Sequence, residues 1–282
     1  MRQHKLVLIQ VLFLFLSACA SAPNRLPNIK VMTYNIRCAV CEEEGDINHW
    51  SHRKALVADI IKVSDPDIIG LQEADSQQVQ DLVGSLIDYA SYGVGSEEGY
   101  TGSSNAILVK KSRFDIIARR TIWLSPTPEQ ISVGWDAHYN RTLTIVLLRD
   151  KLSGKQINYY NSHFDNMGSV ARLQSALMVG ALIDSQETSS TILTGDFNGR
   201  PGFDAYLEIA KRLNDTAVTS VTPHTGGQIS FNGFGKEIYE GNKLDYIFAS
   251  RDFSAKTSEI ITRLFDGHYP SDHFPVIAEI AY

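Results

Sequence analysis

Three cysteines in 282 residues are too few for a disulfide-built scaffold, so an ordinary hydrophobic core must hold this chain together. Nine prolines and 20 glycines, with no internal repeat and no low-complexity segment, exclude collagen-like and solenoid architectures. Positive charge is not in surplus: 26 Lys and Arg stand against 32 Asp and Glu, a formal net charge of -6. The overall field therefore does not draw the chain to nucleic acid or to an anionic membrane, although a local basic groove remains compatible with it. The apolar run at the start, Leu6 to Leu16 broken by Gln10, falls short of the ~18 apolar residues that a membrane-crossing helix needs.

That run has a different meaning. Arg2, His4 and Lys5 precede it and Leu16-Ser17-Ala18-Cys19 follows it, which is the layout of an export signal. The four residues resemble a bacterial lipobox, and an ordinary secretory signal is the alternative. The expected organisation is a signal peptide over 1–18, a lipidated Cys19 with a tether to residue 28, and one domain over 29–282. Several acyl chains on one cysteine anchor a domain stably, so the expected location is the cell envelope, facing the periplasm or exterior. Ala20 is not aspartate, which resembles outer-membrane lipoproteins where an outer membrane exists. Outside the cytoplasm, Cys38 and Cys41 are candidates for a structural disulfide. Zinc, with His49 and His52 as the available partners, and free thiols are the alternatives.

The 43% apolar content suffices for a sizeable core, and the pattern along the chain mixes strands and helices throughout. Strands are predicted at 29–36, 67–72, 106–109, 114–117, 142–148, 157–161, 192–193, 244–249 and 274–280. Helices are predicted at 52–63 with Leu56, Ile60 and Val63 inward, at 79–87, at 170–183 with Leu173, Leu177, Val179 and Gly180 inward, and at 203–213. This favours one α/β domain with two stacked sheets and outer helices.

Polar residues gather where the predicted strands end. Asn35 follows Val-Met-Thr-Tyr, Glu73 follows Ile-Ile-Gly-Leu-Gln, and His163 follows Tyr-Tyr-Asn-Ser. Asp196 and Asn198 lie in Thr-Gly-Asp-Phe-Asn, Asp245 in Lys-Leu-Asp-Tyr-Ile-Phe, and Asp272 with His273 in Ser-Asp-His-Phe-Pro-Val. A single aspartate ending a strand is usually a turn or cap residue. Carboxylates, amides and imidazoles together are a set that can hold a hard cation and surround a phosphate.

These motifs, in this order from Thr33-Tyr34-Asn35 to Ser271-Asp272-His273, resemble the endonuclease/exonuclease/phosphatase superfamily, which includes deoxyribonucleases, abasic-site endonucleases, inositol polyphosphate phosphatases and neutral sphingomyelinases. Trp50 with Arg53-Lys54, Pro66 to Glu73, Trp123-Leu124-Ser125 and Ala171-Arg172 are similar to a bacterial branch. The resemblance implies a four-layer α/β/β/α sandwich and a divalent-metal-dependent hydrolase of phosphate esters. Glu73 is then the expected principal ligand of Mg2+ or Mn2+, assisted by Asn35 and Asp272. Asp196 is expected to orient and deprotonate the attacking water, with Asn198 bonding water or phosphate. His273, held by Asp245, is expected on the non-bridging oxygens, His163 on the leaving group, and Arg141 on phosphate.

The loop after Asn35 is expected to bring Cys38, Cys41 and Glu42-Glu43-Glu44 to the entrance, with Glu97-Glu98 adding charge. Acidic groups there would repel a polyphosphate chain, so the expected substrate is a small phosphomonoester or phosphodiester. A secreted nuclease using a basic stretch at Lys110, Lys111, Arg113, Arg119 and Arg120, a sphingomyelinase-like lipid phosphodiesterase, and an inactive binding lipoprotein are the alternatives. The stretch itself reads as a solvated hairpin, and His138, His224 and His268 as loop or rim residues. Arg53 is expected to support the site from a helix. No feature calls for an obligate protein partner, and a monomer is expected.

Overall fold

The computed structural model describes residues 26–186, 190–265 and 267–282. The expected signal peptide and the lipidation of Cys19 lie outside the described residues. Numbered in chain order, one sheet contains β11 (Ser254–Ile260), β12 (Val276–Ala281), β1 (Ile29–Asn35), β2 (Ile68–Gln72), β4 (Ile107–Lys110) and β3 (Tyr89–Tyr92), in that spatial order. The other contains β5 (Phe114–Trp123), β6 (Thr142–Asp150), β7 (Gln156–His163), β8 (Thr191–Asp196), β10 (Asp245–Ala249) and β9 (Asn214–Asp215).

Each sheet has one parallel pair, and a parallel pair needs a long crossover, here a helix. Helix α1 (Trp50–Ser64) joins β1 to β2, and α3 (Ser169–Asp184) joins β7 to β8. Between them, α2 (Ser76–Ser85) begins with a capping box in which Asp75 and Gln78 bond each other's backbone N–H. Helix α4 (Asp204–Ala210) packs beside α3, where Gly180 leaves room for Arg212: a Cβ there would stand 2.8 Å from its guanidinium carbon.

Alternation along each strand sorts the layers. On β1, Ile29 and Val31 face the opposing sheet, while Met32 and Tyr34 face α1 and α2. On β8 and β10, Ile192 and Ile247 face inward, and Leu193, Tyr246 and Phe248 lie under α3 and α4. Three apolar clusters therefore separate four layers, the α/β/β/α sandwich. Where β2 crosses β7 and β8, the sheets close around Gly70, whose added Cβ would lie 2.3 Å from Thr194 Oγ1. No larger residue fits without parting the sheets.

Several sequence expectations need correction. In α1 the buried residues are Trp50, Arg53, Val57, Ala58, Ile60 and Ile61, whereas Val63 is 67% exposed. The helix is rotated because Trp50 and Arg53 have bonding partners inside: Trp50 Nε1 donates to Asp81, and Arg53 to a set of backbone carbonyls. In α3 the inward residues are mostly small (Ala171, Ser175, Ala176, Val179 and Gly180), and Leu177 faces solvent. Strand β5 runs on to Trp123 because β6 pairs its whole length, although Arg119 and Arg120 break the apolar pattern. Strands β3 and β11 lie at sheet edges, where one-sided burial leaves too few apolar residues for a strand signal.

Candidate active site

Every strand whose end carries a candidate polar residue ends at the same edge of the sandwich. Parallel pairing sets Asn35 opposite Gln72 and His163 opposite Asp196; antiparallel pairing sets Asp245 opposite Asp196. The structure thus gathers Asn35, Glu73, His163, Asp196, Asn198, Asp245, Asp272 and His273 from six segments of the chain. Six of these eight line a cavity of about 550 Å³ whose wall also includes Arg141; Asn35 lies behind Glu73 and Asp196, and Asp245 behind His273.

The amide of Asn35 sits between two carboxylates, its Nδ2 donating to Glu73 Oε1 at 3.0 Å and Asp196 Oδ2 at 3.1 Å. Its oxygen accepts from the Arg37 N–H at 3.0 Å. Glu73 has φ of 61°, a left-handed conformation uncommon for a side-chain-bearing residue, and its Oε2 accepts from the Cys38 N–H at 3.1 Å. Asn198 also has positive φ, which turns its N–H onto Asp196 Oδ1 at 2.9 Å and its amide nitrogen onto His163 Nε2 at 2.9 Å.

Charge decides the protonation states. Burial, with the neighbouring Asp245 charge, pushes Asp196 up to about 7. Burial opposes charge on His273, but the carboxylates of Asp245 and Asp196 outweigh it and raise the imidazole to about 10. Its Nδ1 lies 2.8 Å from Asp245 Oδ2 and its Nε2 3.6 Å from Asp196 Oδ2. His163 goes the other way: burial, then Arg141 and His273, hold it well below the usual value. Asp272 is raised by burial and by Glu73, against His273 and Arg37, whose Nη1 is 3.7 Å away.

Four carboxylates, from Glu73, Asp196, Asp245 and Asp272, therefore share this region with His273, Arg37 and Arg141. Asp245 Oδ1 is buried without a hydrogen-bond partner, and Asp196, Asp245 and His273 offer ligand atoms within 4.8 Å of one another. Oxygen donors in excess of nearby positive charge suit a hard divalent cation.

A profile of the endonuclease/exonuclease/phosphatase family matches residues 32–273. The chain belongs to the endonuclease/exonuclease/phosphatase family. It is similar to a mannosyl-6-phosphatase of Bacteroides thetaiotaomicron, with 29% identity and a TM-score of 0.82 over 90% of this chain and 100% of that one. An endonuclease/exonuclease/phosphatase of Bacteroides vulgatus is 32% identical, with a TM-score of 0.84 over 90% and 98% of the two chains. Nocturnin of Rattus norvegicus is 26% identical over 298 residues, 91% of this chain and 66% of nocturnin. Family members are phosphoester hydrolases, and this chain is an enzyme of that class.

Behind the site residues stand Asp165 and Gln78, which the pattern of polar strand ends does not mark, and Arg53, which supports the site from a helix as expected. Asp165, buried just beyond β7, accepts from the N–H groups of His138, Tyr139, Met167 and Gly168 and from Arg141 Nε at 3.2 Å. Burial resists its ionisation, yet these donors lower its pKa. Its place two residues after His163 is the signal that was available. Arg53, 2% exposed, donates to the carbonyls of Ile36, Pro270 and Asn48 and pairs with Glu42, so it joins the Asn35 loop to the Asp272 loop. Gln78 bonds Arg37 O and the Ala39 N–H, fixing the same loop to α2.

Two sequence expectations change, and that for the cysteines holds. Glu42 is turned inward onto Arg53, and Glu43 and Glu44 do not line the pocket, so from this acidic region only Glu97 contributes a carboxylate to the wall. Cys38 and Cys41 do line it, bonded to each other across a 3-10 turn with Cα atoms 5.3 Å apart. His49 instead caps α1. Of the basic stretch Lys111, Arg119 and Arg120 are exposed as expected, whereas Lys110 and Arg113 are largely drawn in, pairing with Asp67, Asp65 and Asp150 at the end of β4 remote from the pocket. His138 and His268 are exposed, and His224 bonds Ser258 and Gly227.

Proposed function

We propose that this pocket hydrolyses a small phosphate monoester with the help of a divalent cation, Mg2+ or Mn2+. The observation that carries this reading is the convergence of Glu73, Asp196, Asp272 and two differently poised histidines on one bounded cavity, with Asp245 behind His273. Similarity to a mannosyl-6-phosphatase over the whole of that chain supports a monoester.

Glu73 and Asp272 would hold the cation. Asn35 would join them through its oxygen by rotating its amide away from the Arg37 N–H. When bound, the cation neutralises phosphate charge and stabilises the leaving oxygen. Asp196, whose proton affinity lies near neutrality, takes the proton of the attacking water, and Asn198 orients it. The His273 imidazolium, backed by Asp245, faces the non-bridging oxygens, where charge grows in the transition state. His163 is neutral in the free site; phosphate charge beside it raises its proton affinity, so it is loaded with a proton as substrate binds. Arg141, fixed by Asp165, supplies a further phosphate donor.

Release of inorganic phosphate from p-nitrophenyl phosphate, with and without chelator, tests the proposal. Chelator-sensitive release supports it. Fast nicking of plasmid DNA with inert monoesters would sink it in favour of a nuclease, and metal binding without turnover would favour a binding module. The proposed setting is the bacterial cell envelope, which rests on residues 1–19; loss of acyl labelling in Cys19→Ser is the expected result.

A further inference from the structure

We infer that Tyr139, Asn140 and Glu97 form a leaving-group subsite that selects an uncharged, hydroxyl-rich alcohol of the sugar class and rejects alcohols carrying a second anionic group. The inference rests on the phosphoesterase reading of the same pocket and adds the identity of the leaving group.

Three successive residues run along one wall. Arg141 is fixed at the phosphate end by Asp165 and by Asn166, whose Oδ1 accepts from its Nη2 at 3.3 Å. Tyr139 lies over that guanidinium, 5.2 Å from Arg141 Cζ to the ring centroid, and is 51% exposed. An aromatic ring beside the phosphate donor can cover the apolar C–H face of a pyranose. Asn140 stands between them in sequence, its Nδ2 donating to Glu97 Oε2 at 2.9 Å across the two loops that bound the pocket.

Two acceptors there lack a cation. Asn140 Oδ1 is buried with no hydrogen-bond partner, and Glu97 makes no ion pair among the described residues. Ser96 Oγ donates to Glu97 Oε1 at 3.3 Å. Gly102, at φ of 74°, lies under the Glu97 stem; a Cβ there would stand 2.6 Å from Glu97 Cγ, so the carboxylate is laid across the one residue type that admits it. An ionised carboxylate accepts only, and so does an amide oxygen. Hydroxyls can donate to both. A second phosphate or a carboxylate on the substrate can donate to neither, and it meets Glu97 as a like charge. Arg37 and Arg141, the basic residues of the wall, serve the phosphate end, where they lie beside Asp272 and Asp165.

The test measures kcat/KM of the full chain on mannose 6-phosphate and on fructose 1,6-bisphosphate. The parent enzyme should prefer the monophosphate at least tenfold. Glu97→Gln should reduce that ratio tenfold or more, and Asn140→Asp, which adds charge at the same place, should increase it. Tyr139→Ala should raise KM for the hexose phosphate about tenfold with little change in kcat. Ratios that stay within twofold of the parent in both charge variants overturn the subsite. Parent turnover of p-nitrophenyl phosphate reports separately on the underlying reading: absent, that reading fails; present with unmoved ratios, only the subsite fails.

Discussion

The strands β1, β2, β7, β8 and β10 bring Val31, Ile68, Tyr159, Ile192 and Ala249 together at one end of the inter-sheet layer. At the other end the same faces of the same strands present Asn35, Gln72, His163, Asp196 and Asp245. Burial does not separate the two ends, since Asn35 and Asp245 are as inaccessible as Val31. Between them lies a neutral polar band in which Gln72 Nε2 donates to Asn161 and Thr33, and Thr194 Oγ1 to Asn161. What differs is the sign of the contribution to stability. Apolar side chains gain by leaving water, whereas buried carboxylates lose unless something answers their charge. The difference teaches that the apolar end holds the sandwich closed against repulsion stored at the other.

The largest expected effect separates the ends by activity. Glu73→Ala or His273→Ala should lower kcat by about 100- to 10,000-fold. For Glu73→Ala the denaturation midpoint should stay level or rise, whereas His273→Ala, which strips Asp245 and Asp196 of their cation, should lower it. Steady-state assay beside chemical denaturation checks both, and a fall in Glu73→Ala would erase the distinction. Next, Ile192→Ala at the apolar end should cost about 2–5 kcal/mol of stability while the folded fraction keeps its kcat/KM. Denaturant titration at constant m-value measures it.

A third test uses pH on the chelated protein. Asp196 is raised from 3.8 to about 7 and His273 from 6.5 to about 10, so each of these two groups binds more protons in the folded state than in the unfolded, while His163, held well below its ordinary value, works the other way in the lower range. The stability that Asp196 and His273 contribute is therefore highest on the acid side of each window and is lost as pH rises through about 7 and again through about 10. Asp196→Asn should remove the lower part of this loss and His273→Gln the upper. Added Mg2+ should flatten the lower slope; a slope of opposite sign would contradict the charge assignment.

The smallest effect concerns the disulfide. Its four-residue loop is already tied by Arg53 and Gln78, so Cys38→Ser with Cys41→Ser should cost at most about 2 kcal/mol. Because the Cys38 N–H holds Glu73, the Mg2+ concentration for half-maximal activity should rise several-fold. An unchanged requirement would show that Arg53 and Gln78 alone position the loop.

Much of this was legible in the chain because strands advertise themselves by apolar runs. Ile68 to Leu71 and Ile192 to Leu193 are flanked by polar residues at their carboxyl ends, and parallel pairs align those ends without further information. Other features were not legible. A turned-in Glu42 and an exposed Glu43 look alike in sequence, since the difference is the Arg53 guanidinium that only one of them reaches. The support that Arg53 gives from α1 was legible, but its carbonyl partners were not, because the apolar stripe of that helix suggested a different inward face. Edge strands β3 and β11 lack the two-sided burial that gives a central strand its signal.

By itself the sequence determined the layer architecture, the family and the roster of polar strand ends, because alternation and helical period act over neighbouring residues. Tertiary structure alone decided which carboxylate faces which donor. Asn35 bridges Glu73 and Asp196, His273 turns to Asp245, and Glu97 meets Asn140 only after the two sheets have packed. The physical reason is range: a hydrogen bond or a charge–charge term changes greatly over a few ångströms, and those separations are set between residues up to 161 positions apart in the chain.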